Sequence, residues 1–152
     1  MAESIDEETV TLLKKANVVS IETGPQTVNE NTLKIINRYF EKEKFQRGIA
    51  LLLKGGLEVL IDLIIGLPGD NFCRCATSIK AMMHLNPTTI VFSALHVLPG
   101  TDLYTESDTL GLQFDEKAPH LVLQNRTFPY EELDKAVVMA VSVGKEYNLK
   151  LS

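Results

Sequence analysis

The chain is poor in cysteine, with two, Cys73 and Cys75, among 152 residues. Two cysteines give no disulfide framework, so a reducing cytoplasm is the expected setting. Met1–Glu8 is acidic and carries no apolar run, so no signal peptide is visible. The most apolar stretch, Leu57–Leu67, is too short to cross a bilayer and holds Asp62 within it. An excess of positive charge is also missing: the formal net charge is -5. That excludes a nucleic-acid backbone or an anionic membrane as the main expected partner, since both select a basic face. No Gly-Lys-Ser/Thr follows the glycine turn at Gly66–Gly69, so it is not a phosphate loop. The three histidines, His84, His96 and His120, have no ligand spacing, and no Ser-His-Asp arrangement can be argued.

What is present is an α/β pattern. Ile5–Ala16 is expected as a helix, with Ser4 as its cap, acids in its first turn and Lys14 and Lys15 in its last. Val18–Glu22 predicts a strand broken by Gly24-Pro25, and Asn29–Tyr39 and Glu43–Lys54 predict helices. Leu57–Ile65 reads as a strand covered on both faces in a parallel sheet. A turn at Gly66-Leu67-Pro68-Gly69 leads to a helix capped by Asp70 or Asn71 and running to about Leu85. Thr88–Leu95 predicts a third strand, and His120–Gln124 a short one. Tyr130–Tyr147 predicts a long helix with Leu133, Val137, Ala140, Val141 and Gly144 on one side. Strand alternating with helix implies right-handed βαβ units. Three such strands make a sector of a barrel and leave an exposed edge. The acidic start leaves two readings open, a natural terminus or a cut within a longer protein.

In a parallel sheet, active groups gather at the C-terminal strand ends. A period of two puts Leu60, Asp62, Ile64 and Gly66 on one face. A carboxylate in mid-strand is costly unless partnered, and Glu22 has the same character on the neighbouring strand. Both are expected to line a polar cavity, the alternative being a carboxylate bonded to a nearby loop amide. Arg38, twelve residues beyond Gln26, suits a bidentate hold on a ligand carboxylate. It equally suits a cation at a helix C-terminus. Cys73 and Cys75, spaced i, i+2 on a helix, point to different sides and are read as packing residues rather than metal ligands.

Four blocks occur in order: Ile21-Glu22-Thr23-Gly24-Pro25-Gln26-Thr27, Thr32-Leu33 with Ile36-Asn37-Arg38, Ile61-Asp62-Leu63-Ile64-Ile65-Gly66-Leu67-Pro68-Gly69-Asp70, and Leu98-Pro99-Gly100-Thr101-Asp102-Leu103. Together they resemble the second half of the radical S-adenosylmethionine (radical SAM) domain over Val18–Leu112. The resemblance is to the branch with an N-terminal cobalamin-binding domain, which includes magnesium-protoporphyrin IX monomethyl ester oxidative cyclases. The anaerobic coproporphyrinogen oxidase branch is similar at the strand ends. The resemblance implies half of a partial (β/α)6 TIM-like barrel, strands four to six, over residues 1–112, with a C-terminal helical extension over 113–152. It implies that Gln26 and Asp62 bind the S-adenosylmethionine ribose hydroxyls and that Arg38 holds the methionyl carboxylate. Ile64, Ile65 and Gly66 would flank the adenine, the strand around Ser93–Leu95 would touch its edge, and Glu22 would face the lumen.

The chain departs from the family in one respect that matters for chemistry. The cluster-binding CxxxCxxC loop is absent, as is the Gly-Gly-Glu block that holds the methionyl amine. Thiolates are what hold an iron–sulfur cluster. The expectation is therefore a fragment, inactive alone, of a radical SAM enzyme acting in tetrapyrrole chemistry. The [4Fe-4S] cluster and any cobalamin would sit in the parent, and the missing N-terminal half of the barrel would be the partner. The alternative expectation is a non-catalytic half-barrel that assembles with itself or another subunit through the exposed sheet edge.

Overall fold

The computed structural model describes residues 2–150. Met1, Leu151 and Ser152, which end the two expected domains, lie outside them. After a 3-10 turn at Ala2–Ser4 the chain runs α1 (Glu7–Lys15), β1 (Ser20–Gln26), α2 (Glu30–Ile35), α3 (Lys42–Lys54), β2 (Glu58–Ile65), α4 (Phe72–Met83) and β3 (Thr89–Ala94). There follow α5 (Asp102–Thr105), α6 (Ser107–Leu110), β4 (Gln113–Phe114), β5 (Val122–Gln124) and α7 (Tyr130–Leu149). β1, β2 and β3 form one parallel sheet in that order, and β4 pairs antiparallel with β5. This is the α/β half-barrel architecture expected from the strand–helix alternation. No helix among the described residues is long and apolar enough to cross a membrane.

β2 explains why the barrel sector is stable though open. Val59, Ile61, Leu63 and Ile65 are buried, while Leu60, Asp62 and Ile64 alternate with them and are half-exposed. The apolar run predicted a strand covered on both faces. Here one face is covered, by α3 through Phe45, Ile49 and Leu52 and by α4 through Cys75, Ile79 and Met82. Three strands cannot close on themselves, so the other face is left as the wall of a lumen.

Several local boundaries differ from expectation for identifiable reasons. Asp6, not Ser4, caps α1, its carboxylate accepting from Thr9 N–H at 2.7 Å. β1 is not broken by Gly24-Pro25 but continues to Gln26 across a register shift between Thr23 and Gln26. Glycine makes that possible, because a Cβ at residue 24 would lie 2.1 Å from the Asp62 carbonyl oxygen. α2 stops at Ile35, four residues short, because Asn37 takes φ 51° and reverses the chain. Asn71 caps α4, accepting from Arg74 N–H at 3.0 Å. On α7, Leu133, Ala136, Ala140 and Gly144 face the core, whereas Val141 is 46 % exposed.

The outer edge of β3 is capped at Ile90 and continued by pairing just beyond the strand. The Asn148 side chain pairs with Ile90 as a strand residue would, accepting from its N–H and donating to its C=O, both at 3.1 Å. Beyond the strand, Val122 N–H donates to Leu95 C=O at 2.9 Å, and Val97 N–H to His120 C=O at 2.9 Å. β1 pairs with β2 alone in the sheet order, so its outer side is the exposed edge.

Candidate functional site

The lumen face of the sheet lines a cavity of about 770 Å³. Glu22, Gln26, Arg38, Asp62 and Ile64 all reach it, with Val91 and Ser93 from β3 and Ile5, Thr9 and Leu13 from the N-terminal segment. The structure thus brings together five of the seven residues singled out from sequence. Ile65 lies on the opposite face of β2, 2 % exposed, and its side chain belongs to the core. Gly66 follows it away from the lumen with φ 100°, against the C-terminal extension, where a Cβ would stand 2.6 Å from Val122 Cγ1. A second cavity of about 360 Å³ adjoins the first through Gln26 and Ile64 and is bordered by Asn37, Leu95, Asp102 and Glu106.

Glu22 and Asp62 face one another across neighbouring strands. Glu22 is in register with Leu60, so Asp62 is its diagonal neighbour on the same sheet face. Partial burial of Asp62, and after it the neighbouring Glu22 carboxyl, push the Asp62 carboxyl up to about 6. Among the described residues no loop amide bonds the Asp62 carboxyl, and the ionisable group nearest it in effect is the Glu22 carboxyl.

Arg38 sits beyond the left-handed turn at Asn37, so it is not a last-turn helix cation. Its Nη2 donates to the Gly24 carbonyl at 2.8 Å, which ties the guanidinium to the β1 bulge. Its Nε is buried and has no hydrogen-bond partner. A buried guanidinium N–H without an acceptor costs on the order of 1–3 kcal/mol, and no protein atom supplies one to Arg38 Nε. Gln26 is also strained, at φ 70°, and such outliers collect where side-chain direction matters.

A polar network that the sequence did not announce fixes these residues in place. Thr27, buried next to Gln26, donates to Asp70 Oδ2 at 3.0 Å, exchanges a bond with Ser78 Oγ at 3.1 Å, and accepts from Asn29 N–H at 3.2 Å. Asn29 Nδ2 donates to the Gly69 carbonyl at 3.0 Å. Burial pushes the Asp70 carboxyl above its ordinary range, against the hydrogen bonds it accepts. From the C-terminal extension, Asn125 Nδ2 donates to Gly66 C=O at 2.9 Å, and Gly69 N–H donates to Thr127 Oγ1 at 2.9 Å. The Gly-Leu-Pro-Gly turn is therefore clamped from both sides. A threonine after Gln26 and an aspartate closing the turn were the available signals; Ser78 carried none.

The Radical SAM superfamily profile matches residues 2–82. The chain belongs to the Radical SAM superfamily. Protein YhcC of Escherichia coli (strain K12) is 32% identical over 83 residues, which are 55% of this chain and 27% of that protein. Among solved structures, coproporphyrinogen III oxidase (HemN) from Escherichia coli superposes with a TM-score of 0.72 at 17% identity, covering 96% of this chain and 31% of HemN. The radical SAM methyltransferase TsrM from Kitasatospora setae, with cobalamin and a [4Fe-4S] cluster bound, gives 0.66 at 22% identity over 81% of this chain and 24% of TsrM. These two likenesses show the shared fold. The chain spans about a quarter of the length of Protein YhcC.

Family membership implies S-adenosylmethionine and a [4Fe-4S] cluster, and the residues present fit them unequally. The lumen offers an arginine N–H lacking an acceptor, the kind of group a carboxylate satisfies. For the cluster there is no fit. Cys73 is exposed and Cys75 buried on α4, and no group of three or more His, Cys, Asp or Glu able to hold a metal occurs among the described residues. Burial and the neighbouring Asp70 carboxyl also push the Cys75 thiol upward, away from the thiolate form that iron requires.

Proposed function

We propose that this chain is the strand-four-to-six half of a radical SAM enzyme and carries the ribose and carboxylate side of its S-adenosylmethionine site. The observation that carries this is the buried Arg38 Nε without a partner, beside an Nη2 already anchored to Gly24. In this reading Arg38 takes the methionyl carboxylate, and Gln26 and Asp62 take the ribose hydroxyls. Ile64 offers its side chain to the adenine, while Ile65 and Gly66 contribute backbone. When bound, S-adenosylmethionine supplies the 5′-deoxyadenosyl group; these residues bind and orient it. No step is routed through the cluster, whose ligands are not among the residues here. The remainder of the barrel docks along the outer edge of β1, so the complete enzyme holds the cluster on its other half. The finer assignment is a tetrapyrrole substrate for that longer enzyme, in the manner of the cyclase branch. Its support is the four ordered sequence blocks, together with the fold shared with HemN, whose name gives it a porphyrinogen substrate.

The test is binding of S-adenosylhomocysteine to the chain, followed by backbone amide shifts. Shifts confined to Gln26, Arg38, Asp62 and their neighbours are expected, with affinity falling at least tenfold in Arg38→Ala. An unperturbed spectrum at millimolar ligand rejects the half-site.

A further inference from the structure

Gln26 reaches the lumen from a backbone that its own side chain does not secure. Its φ is 70°, in the left-handed region that a residue with a Cβ avoids. It borders both cavities, and no hydrogen bond to protein holds its amide among the described residues. The direction of that amide is therefore set by what grips the chain on either side of residue 26. We propose that Thr27, Asp70 and Ser78 are positioning residues for Gln26: they hold it left-handed and so give the site its grip on the ribose hydroxyls.

The grip after Gln26 is a directed chain of hydrogen bonds. Thr27 is the next residue, and its hydroxyl has one proton, which goes to Asp70 Oδ2 at 3.0 Å. Ser78 must then donate to Thr27 Oγ1 at 3.1 Å, and the Ser78 oxygen accepts from Val28 N–H, also at 3.1 Å. Asn29 N–H adds a second donor to Thr27 Oγ1 at 3.2 Å. Every donor thus runs toward one carboxylate, and residues 27, 28 and 29 are each tied to it. Thr27, Asp70 and Ser78 are buried, and none of them lines either cavity. Ser78 lies on α4, in the helix layer on the other face of the sheet from the lumen. Before Gln26, Arg38 Nη2 holds the Gly24 carbonyl at 2.8 Å, and β1 regains its pairing with β2 where Gln26 meets Leu63. A sparsely populated conformation persists only where its surroundings over-determine it, and here the chain is fixed on both sides of the one left-handed residue.

The positioning is a property of the chain without ligand; its effect on binding rests on the ribose reading, and two readouts separate them. The first is the NMR cross-peak between Gln26 N–H and its own Hα, which is strong at positive φ because that conformation brings the two protons together. It is expected to be strong in the wild type and in Thr27→Ser, and weaker in Thr27→Val and in Ser78→Ala. The second is the affinity for adenosine against that for 2′,3′-dideoxyadenosine. The wild type is expected to prefer adenosine. Thr27→Val removes about tenfold of that preference, the share of one good hydrogen bond, and Thr27→Ser restores it. Gln26→Ala loses the same share, and adding Thr27→Val to it removes no further preference. A merely structural clamp would lower stability and weaken both nucleosides alike, with the preference unchanged. An unweakened cross-peak in Thr27→Val and Ser78→Ala, or a wild-type preference kept in Thr27→Val, overturns the proposal. Should Thr27→Val not fold, Ser78→Ala decides by the same two readouts. If the wild type shows no preference for adenosine, the ribose reading fails and the cross-peak alone judges the positioning.

Discussion

Thr27→Val is nearly isosteric and removes one hydroxyl from the centre of the turn clamp. Thr27 is 1 % exposed, so water cannot replace what is lost. Two groups are orphaned. Asp70 Oδ2 loses a donor at 3.0 Å, and Asn29 N–H loses an acceptor at 3.2 Å. A hydrogen bond to a buried charged group is worth about 1.5–3 kcal/mol, and an orphaned neutral group costs about 1–3 kcal/mol. Ser78 keeps its bond from Val28 N–H at 3.1 Å and can reorient, so it adds little. The expected loss is about 3 kcal/mol, read as a lower urea midpoint at unchanged slope, or about 10 °C in Tm for a chain of this size. The pH dependence gives a second signature. Asp70 already has its carboxyl raised by burial, and without Thr27 it is raised further. Its folded state then binds the proton more tightly than the unfolded one, so the penalty is full at pH 7 and shrinks as pH falls below the folded value. Thr27→Ser retains the hydroxyl and restores most of the stability. A Thr27→Val protein within 0.5 kcal/mol of wild type at pH 7 would refute the view that this network holds the turn.

Three further outcomes follow from the geometry. Gly24→Ala puts a Cβ 2.1 Å from the Asp62 carbonyl; backbone cannot yield cheaply, so about 3 kcal/mol is lost by overpacking, and calorimetry with S-adenosylhomocysteine should show binding lost together with the Arg38 anchor. Asp62, raised to about 6 from 3.8, binds its proton better folded than unfolded, so its contribution is greatest at low pH and declines as pH rises from about 4 through 6. With screening at so open a group the decline is about 1 kcal/mol; subtracting the Asp62→Asn stability profile from the wild type should recover it, and a flat difference counts against the shift. Asn148→Ala strips two bonds from Ile90, which is 2 % exposed, costing about 2 kcal/mol and opening the β3 edge to pairing; sedimentation velocity should show more concentration-dependent association than in the wild type, and wild-type-like sedimentation with full stability contradicts the capping role.

Legibility followed range. The period-two pattern of β2 told which residues share the lumen face, and the cost of a mid-strand carboxylate marked Asp62 and Glu22 separately. That they lie diagonally on one sheet face depends on a register between strands, which no local pattern encodes. Arg38 was legible as a candidate but not as to role, because that turned on one residue: Asn37 at φ 51°, a conformation asparagine tolerates without announcing it. Ile65 was carried into the site by its neighbours in the chain, although its parity already put it on the other face. The Thr27–Asp70–Ser78 network joins residues 43 and 51 positions apart, each an ordinary polar residue until the fold brings them together.

The C-terminal extension shows where a boundary drawn from composition and resemblance differs from one drawn from hydrogen bonds. A division between residues 112 and 113 treats the last segment as a cover over the sheet. Yet Asn125 and Thr127 bond the Gly66 carbonyl and the Gly69 amide, and Asn148 bonds Ile90. Leu133 and Val122 fill the space that the missing Cβ of Gly66 leaves free. Removing the segment would orphan these backbone groups at the turn that follows Asp62 and at the last strand of the sheet, each at a cost of order 1–3 kcal/mol where buried. The extension therefore braces the turn and the last strand from the side away from the lumen. It caps the β3 edge at Ile90 and fixes the turn, while β1 has no strand on its outer side among the described residues.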